Sequence, residues 1–168
     1  MPDVMRWRNQ DSYPVVSPPC QTTLLYEIGD LIFQSLNGQI YPASAQTDQG
    51  SLLRNQALFA CRFLGVAAQR SEIGEILPIR VNTRGNHEFI IAAVAVELVL
   101  GTRVGAVENA AGAALLDQTV TDVAADNLSI GRVQARALVG DTSVLVRIVS
   151  EVMDGGLDPG TCESSSSV

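Results

Sequence analysis

LGVAAQRSEIGEILPIRV at residues 64–81 and IGRVQARALVGDTSVLVRI at residues 130–148 are close variants of one pattern. In each, a Gly follows an apolar residue (Gly65, Gly131) and an Arg stands further on (Arg70, Arg136). Next comes Gly followed by an acid, Gly74-Glu75 and Gly140-Asp141, and then a β-rich run ending apolar-Arg-apolar around Arg80 and Arg147. Upstream of each copy lies another apolar-Gly step, Ile28-Gly29-Asp30-Leu31 and Leu100-Gly101-Thr102-Arg103-Val104. A Gly-acid step suits a turn, because Gly takes positive φ without strain and the carboxylate accepts nearby backbone N–H groups. Residues 28–81 and 100–148 therefore read as two copies of one β unit. The expected fold is all-β: a small barrel or sandwich of two similar halves over 25–153. An extended N-terminal arm over 1–24 and a flexible acidic, Ser-rich tail over 154–168 flank it.

Along the chain, Leu31-Ile32-Phe33 and Gln39-Ile40-Tyr41 flank Asn37-Gly38, a pair suited to a two-residue hairpin turn. Residues 42–50 form a polar connection, and 57–69 read as a strand or a bend leading into one. The run 75–83 is β-like, and Arg84-Gly85-Asn86 can turn it back into a strand over 87–100. Short strands follow at 103–107 and 118–123, with the Ala-rich 110–116 open between strand and other structure. Residues 127–138 and 142–153 close the domain as a hairpin around Gly140-Asp141. In the last strand Val144, Val146 and Ile148 face one way, with Leu145, Arg147 and Val149 opposite. The first residues are rich in proline (Pro14, Pro18, Pro19), which favours extended backbone. Trp7, Tyr13, Val15 and Val16 mark that arm as one that docks onto something, since a solvated tail has no use for such residues.

At 168 residues the chain is long enough for a real core, and with 46% hydrophobic but only 5% aromatic residues that core must be aliphatic. The net charge is −7, and every basic residue is Arg. An acidic chain without a basic stripe argues against nucleic acid, whose backbone needs cationic neutralisation. The longest apolar run, 89–100, is too short for a membrane span and contains Glu97. The N-terminus lacks the basic-then-apolar order of a signal peptide. Cys20, Cys61 and Cys162 are isolated, so free thiols are expected, with Cys61 a small buried hydrophobe.

Signs of catalysis are sparse. There is one His, His87, and no nucleophile elbow, zinc, calcium, phosphate or dinucleotide motif. Glu72, Glu75, Glu88 and Asp141 could serve a paired-carboxylate mechanism. Two of them, however, recur directly after Gly, which turn geometry explains better. No enzyme activity, cofactor or metal is expected. The repeated arginines Arg70, Arg80, Arg136 and Arg147 either face solvent or pair with carboxylates of a partner, where Arg is enriched.

The succession Ile28-Gly29-Asp30-Leu31, Leu64-Gly65-Val66-Ala67, Gly74 to Val81, Leu100-Gly101-Thr102-Arg103-Val104, Ile130-Gly131-Arg132-Val133 and Gly140-Asp141-Thr142-Ser143-Val144 resembles the head decoration, or capsid cement, proteins of tailed bacteriophages. The resemblance covers residues 26–150. It implies a viral structural protein made in the host cytoplasm and carried on the outer surface of the capsid. Such a protein binds the major capsid protein, bridges capsomers and associates with itself as a homotrimer. It implies no direct contact with nucleic acid or membrane. The candidate interface residues are then Trp7, Tyr13, Val15, Val16, Arg70, Arg80, Arg136 and Arg147. The competing readings are a free-standing β module that binds carbohydrate or protein, and another virion structural component.

Overall fold

The computed structural model describes residues 15–155. Ten strands carry the fold: β1 (Val15–Pro19), β2 (Leu31–Gln34), β3 (Ile40–Pro42), β4 (Phe63–Ala67), β5 (Pro78–Asn82), β6 (Arg84–Ile91), β7 (Arg103–Glu108), β8 (Leu115–Asp122), β9 (Gly131–Val133) and β10 (Ser143–Val149). Two helices join them, α1 (Leu52–Arg62) and the short α2 (Glu151–Asp154). The first five strands form one curled sheet in the order β1-β5-β4-β2-β3, and the last five close into a barrel in the order β6-β10-β9-β7-β8. The architecture is thus barrel-like in both halves, which decides between the barrel and the sandwich.

The two orders are the same order, and the register agrees through most of each ladder, with a bulge in β1 that β6 lacks. Leu31 opposite Val66 and Ile32 opposite Gly65 recur as Arg103 opposite Arg132 and Val104 opposite Gly131. Val66–Asn82 and Ala67–Val81 recur as Arg132–Arg147 and Val133–Val146. Val15–Val81 and Val16–Arg80 recur as His87–Val146 and Glu88–Leu145. The isolated bridge Tyr26–Ser71 recurs as Leu98–Ala137. The repeat is therefore longer than its sequence signature and includes β1. One detail of the sequence alignment is corrected: Arg80 matches Leu145, and Arg147 matches Asn82. Arg80 and Arg147 share a strand face but not a position.

What differs is closure. In the second barrel Ile90 and Ile91 of β6 pair in parallel with Thr119 and Val120 of β8. Past a bulge in β1, Pro19 faces Pro78 where Ile90 faces Ser143, and a proline has no N–H to give to a ladder. The seam between β1 and β3 accordingly lacks a ladder. Tyr26 spans it instead: its buried hydroxyl donates to the Ile40 carbonyl at 2.9 Å and accepts from the Gln21 N–H at 3.2 Å.

The cores follow the repeat. Ile32, Ile40, Leu64, Ile79 and Val81 fill the first barrel, and Val104, Val120, Ile130, Val144 and Val146 stand at the matching places in the second. On the outer side of the first sheet, Leu31, Phe33, Phe63 and Val66 join the second barrel's core through Phe59 of α1. Helix α1 packs on β7 and α2 and so wedges the two barrels together.

Several local expectations are corrected. The Asn37-Gly38 hairpin exists, but its loop has three residues, with Gly38 at φ 80 in the αL position that such loops require. Residues 52–62 are a helix capped by Ser51, where a strand or bend was expected from 57 on. Arg84-Gly85-Asn86 begins β6 without a turn, and that strand ends at Ile91, so 92–100 is loop. Residues 109–114 form a turn, and the last strand stops at Val149 before α2. Residues 15–24 belong to the first barrel, which shortens the expected arm; Trp7, Tyr13 and Cys162 lie outside the described residues. Cys20 is a buried free thiol, as expected, but Cys61 is half-buried and disulfide-bonded. The alternation in β10 holds, with Val144, Val146 and Ile148 inward and Arg147 exposed.

Candidate interaction surface

Each barrel ends in a tip built the same way. In the first, Gly74 donates its N–H to the Thr22 carbonyl and Glu75 accepts the Glu72 N–H at 2.8 Å. In the second, Gly140 donates to the Val94 carbonyl and Asp141 accepts the Leu138 N–H at 2.7 Å. Gly74 and Gly140 have φ of 99 and 94, so any side chain there would be strained. The repeated Gly-acid step is thus a turn device. The apex residue before each Gly is apolar and exposed: Ile73 at 67% and Val139 at 68%. Exposed Ile76 and Leu77 follow the turn in the first tip, and exposed Leu138 precedes the apex in the second. Two copies of one turn both carrying uncovered aliphatics is a pattern that solvent alone does not explain.

The sequence-selected arginines sort by position. Arg70 and Arg136 are equivalent and each flanks its tip in an ion pair, Arg70 Nε with Glu72 Oε1 at 2.8 Å and Arg136 Nη2 with Glu97 Oε2 at 2.6 Å. Arg136 holds the Glu97 carboxyl below its ordinary range through that bond. Arg80 and Arg147 are exposed on strand outer faces, and Val16 is 72% exposed. Val15 is brought only into the β1 ladder opposite Val81. Arg147 stands in a cross-strand row with Arg132 and Arg103 on the outside of the closed barrel. Asp126 accepts from Arg103 at 2.6 Å and Arg132 at 2.7 Å, and the two guanidiniums, Arg103 first, lower its carboxyl. Arg147 has no ion-pair partner among the described residues. The matching row in the first barrel is Leu31, Val66 and Asn82, buried under α1 and the second barrel. The internal repeat signalled Arg147. Arg103 and Arg132 join the row only through strand pairing.

Between the barrels lies a groove of ≈ 430 Å³, lined by Leu24, Leu25 and Pro42 from the first barrel and Ile90, Leu116 and Gln118 from the second. On its floor Gln118 donates to Asp30 Oδ1 at 2.9 Å, and Asp30 Oδ2 accepts the Glu27 N–H at 2.7 Å. Asp30 is 4% exposed, and burial, aided by the nearby Asp117 and Glu27 charges, pushes its carboxyl up to about 6. His87 is fully buried in the closed barrel beside Phe89, and burial lowers its imidazole to about 4. These shifts act in opposite directions. The native state keeps the Asp30 proton that the unfolded chain releases, so this group makes stability fall as pH rises from about 4 to about 6. The unfolded chain binds a His87 proton that the native state refuses, so that group makes stability rise over nearly the same window. Each is worth about 3 kcal/mol, and they largely cancel. Asp30→Asn should therefore leave a profile that climbs by about 3 kcal/mol more than the wild type between pH 4 and 6.5. Urea unfolding across that range checks it; parallel profiles would show that Asp30 is not the titrating group.

Among the described residues, no group of three or more His, Cys, Asp or Glu side chains is placed to hold a metal ion. No described helix is long and apolar enough to cross a membrane. The described surface presents aliphatic tips, a guanidinium row and the groove between the barrels. No protein-family model matches the chain, and a search of curated proteins finds no match to it.

Proposed function

We propose that this chain is a capsid decoration, or cement, protein that binds the outer surface of a tailed-phage head and bridges neighbouring capsomers, acting as a homotrimer on the major capsid protein. The observation that carries the reading is the duplicated tip: two register-equivalent barrels each expose an aliphatic apex at the same place, Ile73 and Val139. One chain so built holds two like contacts at a fixed separation. Once the first is made, the second forms at high effective concentration, so a weak contact becomes a strong bridge. Binding the assembled shell better than loose subunits stabilises the shell by mass action. The Arg103–Arg132–Arg147 row suits carboxylates on the partner, since Arg binds them in planar, two-pronged fashion.

Sedimentation of the purified chain with empty heads tests this. The protein should pellet with the shells, and Ile73→Glu and Val139→Glu should each lower occupancy at least about tenfold by removing one of two linked contacts. Wild-type protein that stays in the supernatant would sink the reading.

A further inference from the structure

The contact between the two barrels is itself directional. Across the groove between the barrels, β8 and Ile90 of the second barrel face a wall beside the first tip formed by Thr23, Leu24, Leu25 and Pro42. By the register of the repeat these residues match Ala95, Val96, Glu97 and Asp122. That set lines a second hollow, of ≈ 400 Å³, beside the second tip. Among the described residues none continues the series to face it, and Val96 at its rim is 76% exposed. The other end of the series is equally unused. The facing strand β8 belongs to the β7–β8 hairpin, whose counterpart in the first barrel is the β2–β3 hairpin. That hairpin carries Leu36 at its turn, 78% exposed, more than any other large aliphatic residue described.

We infer that copies of this chain associate head to tail, the β2–β3 hairpin and Leu36 of one copy seating in the hollow beside Val96 of the next. The contact repeats between chains what the second barrel does to the first within a chain. Head and tail are different surfaces, so the interface is heterologous, and a ring is the closed assembly that uses the head and tail of every copy. An open hollow and an exposed aliphatic knob at the two ends of one repeated contact are what such a ring uses up. The inference rests on the self-association in the proposed function and not on the shell. A protein that forms rings yet leaves heads bare keeps this inference and loses the other.

The test uses two surface variants, Leu36→Asp and Val96→Asp, each first shown to melt like the wild type. Mass measured across a concentration series should show a ring of at least three wild-type copies. Both variants should be monomers, with association weakened at least about 100-fold, because a charge at the centre of an apolar contact is left unpaired. An equimolar mixture should give one-to-one dimers and nothing larger: the Val96→Asp copy still has a sound hairpin, and the Leu36→Asp copy a sound hollow. A monomeric wild type at high micromolar concentration would overturn the inference. So would assembly that survives either variant, or a mixture that stays monomeric.

Discussion

Gly65→Ala and Gly131→Ala are each expected to cost about 3 kcal/mol or more of stability, a large effect for a single added methyl. Both glycines face the neighbouring strand at a place with no room for a Cβ. At Gly65 the added carbon would meet the Asn82 carbonyl, with its carbon at 2.8 Å, and Val81 Cγ1 at 3.0 Å. At Gly131 it would meet the Arg147 carbonyl carbon at 3.0 Å and Val146 Cγ1 at 2.8 Å. The obstacle is backbone on a paired strand, so relief requires parting the ladder and not merely turning a side chain. Denaturant midpoints would report it, and a loss under about 1 kcal/mol at both sites would mean that the strands separate far more easily than their pairing implies.

Phe59→Ala should cost about 3–5 kcal/mol, the range for emptying a large buried aromatic site. Phe59 is fully buried, and its ring centroid lies 5.9 Å from that of Phe33 and 5.8 Å from that of Phe63. It is the side chain through which α1 reaches the first sheet while the same helix packs on β7. Polar bonds fix the helix on the other side: Gln56 Nε2 donates to the Ala106 carbonyl at 2.7 Å, and Asn55 Nδ2 donates to Glu108 Oε1 at 2.6 Å. Those bonds cannot refill the space left by the ring. Thermal and denaturant unfolding would measure the loss; a cost below about 1.5 kcal/mol would show that the wedge collapses onto the vacancy.

The repeat could be read from the chain because its glycines answer strict local demands. Gly65 and Gly131 stand where no Cβ fits, and Gly74 and Gly140 hold positive φ in open turns. Arginines on an outer face are under no such constraint, and pairing Arg80 with Arg147 by their apolar neighbours misplaced the register by one face-repeat. Helix α1 was hidden because its inward face holds Asn55 and Gln56 beside Phe59 and Ala60, so no apolar stripe forms. The Ser51 cap after Gly50 was the available signal. Strand β1 reads as an arm in the sequence because its partner, β5, lies far along the chain and prolines usually mark unpaired backbone. Its role becomes visible only when Pro19 is set against Ile90. Of the candidate interface, the tips' geometry was legible in the Gly-acid steps. The Arg103–Arg132–Arg147 row was not, since it is assembled from three strands whose pairing no local pattern states. The Cys61 disulfide likewise left no trace in spacing.

A single residue, Thr83, separates the last strand of the first barrel from the first strand of the second, and its carbonyl accepts the Ser150 N–H at 3.0 Å. There is no slack at that junction. A pull on the first barrel therefore travels straight down β5 into β6, which lies antiparallel to β10 over seven paired residues. Load arriving along a strand axis strains all those bonds at once, in shear, instead of peeling them open one after another. The joint between the halves is built as a tie-rod and not as a hinge.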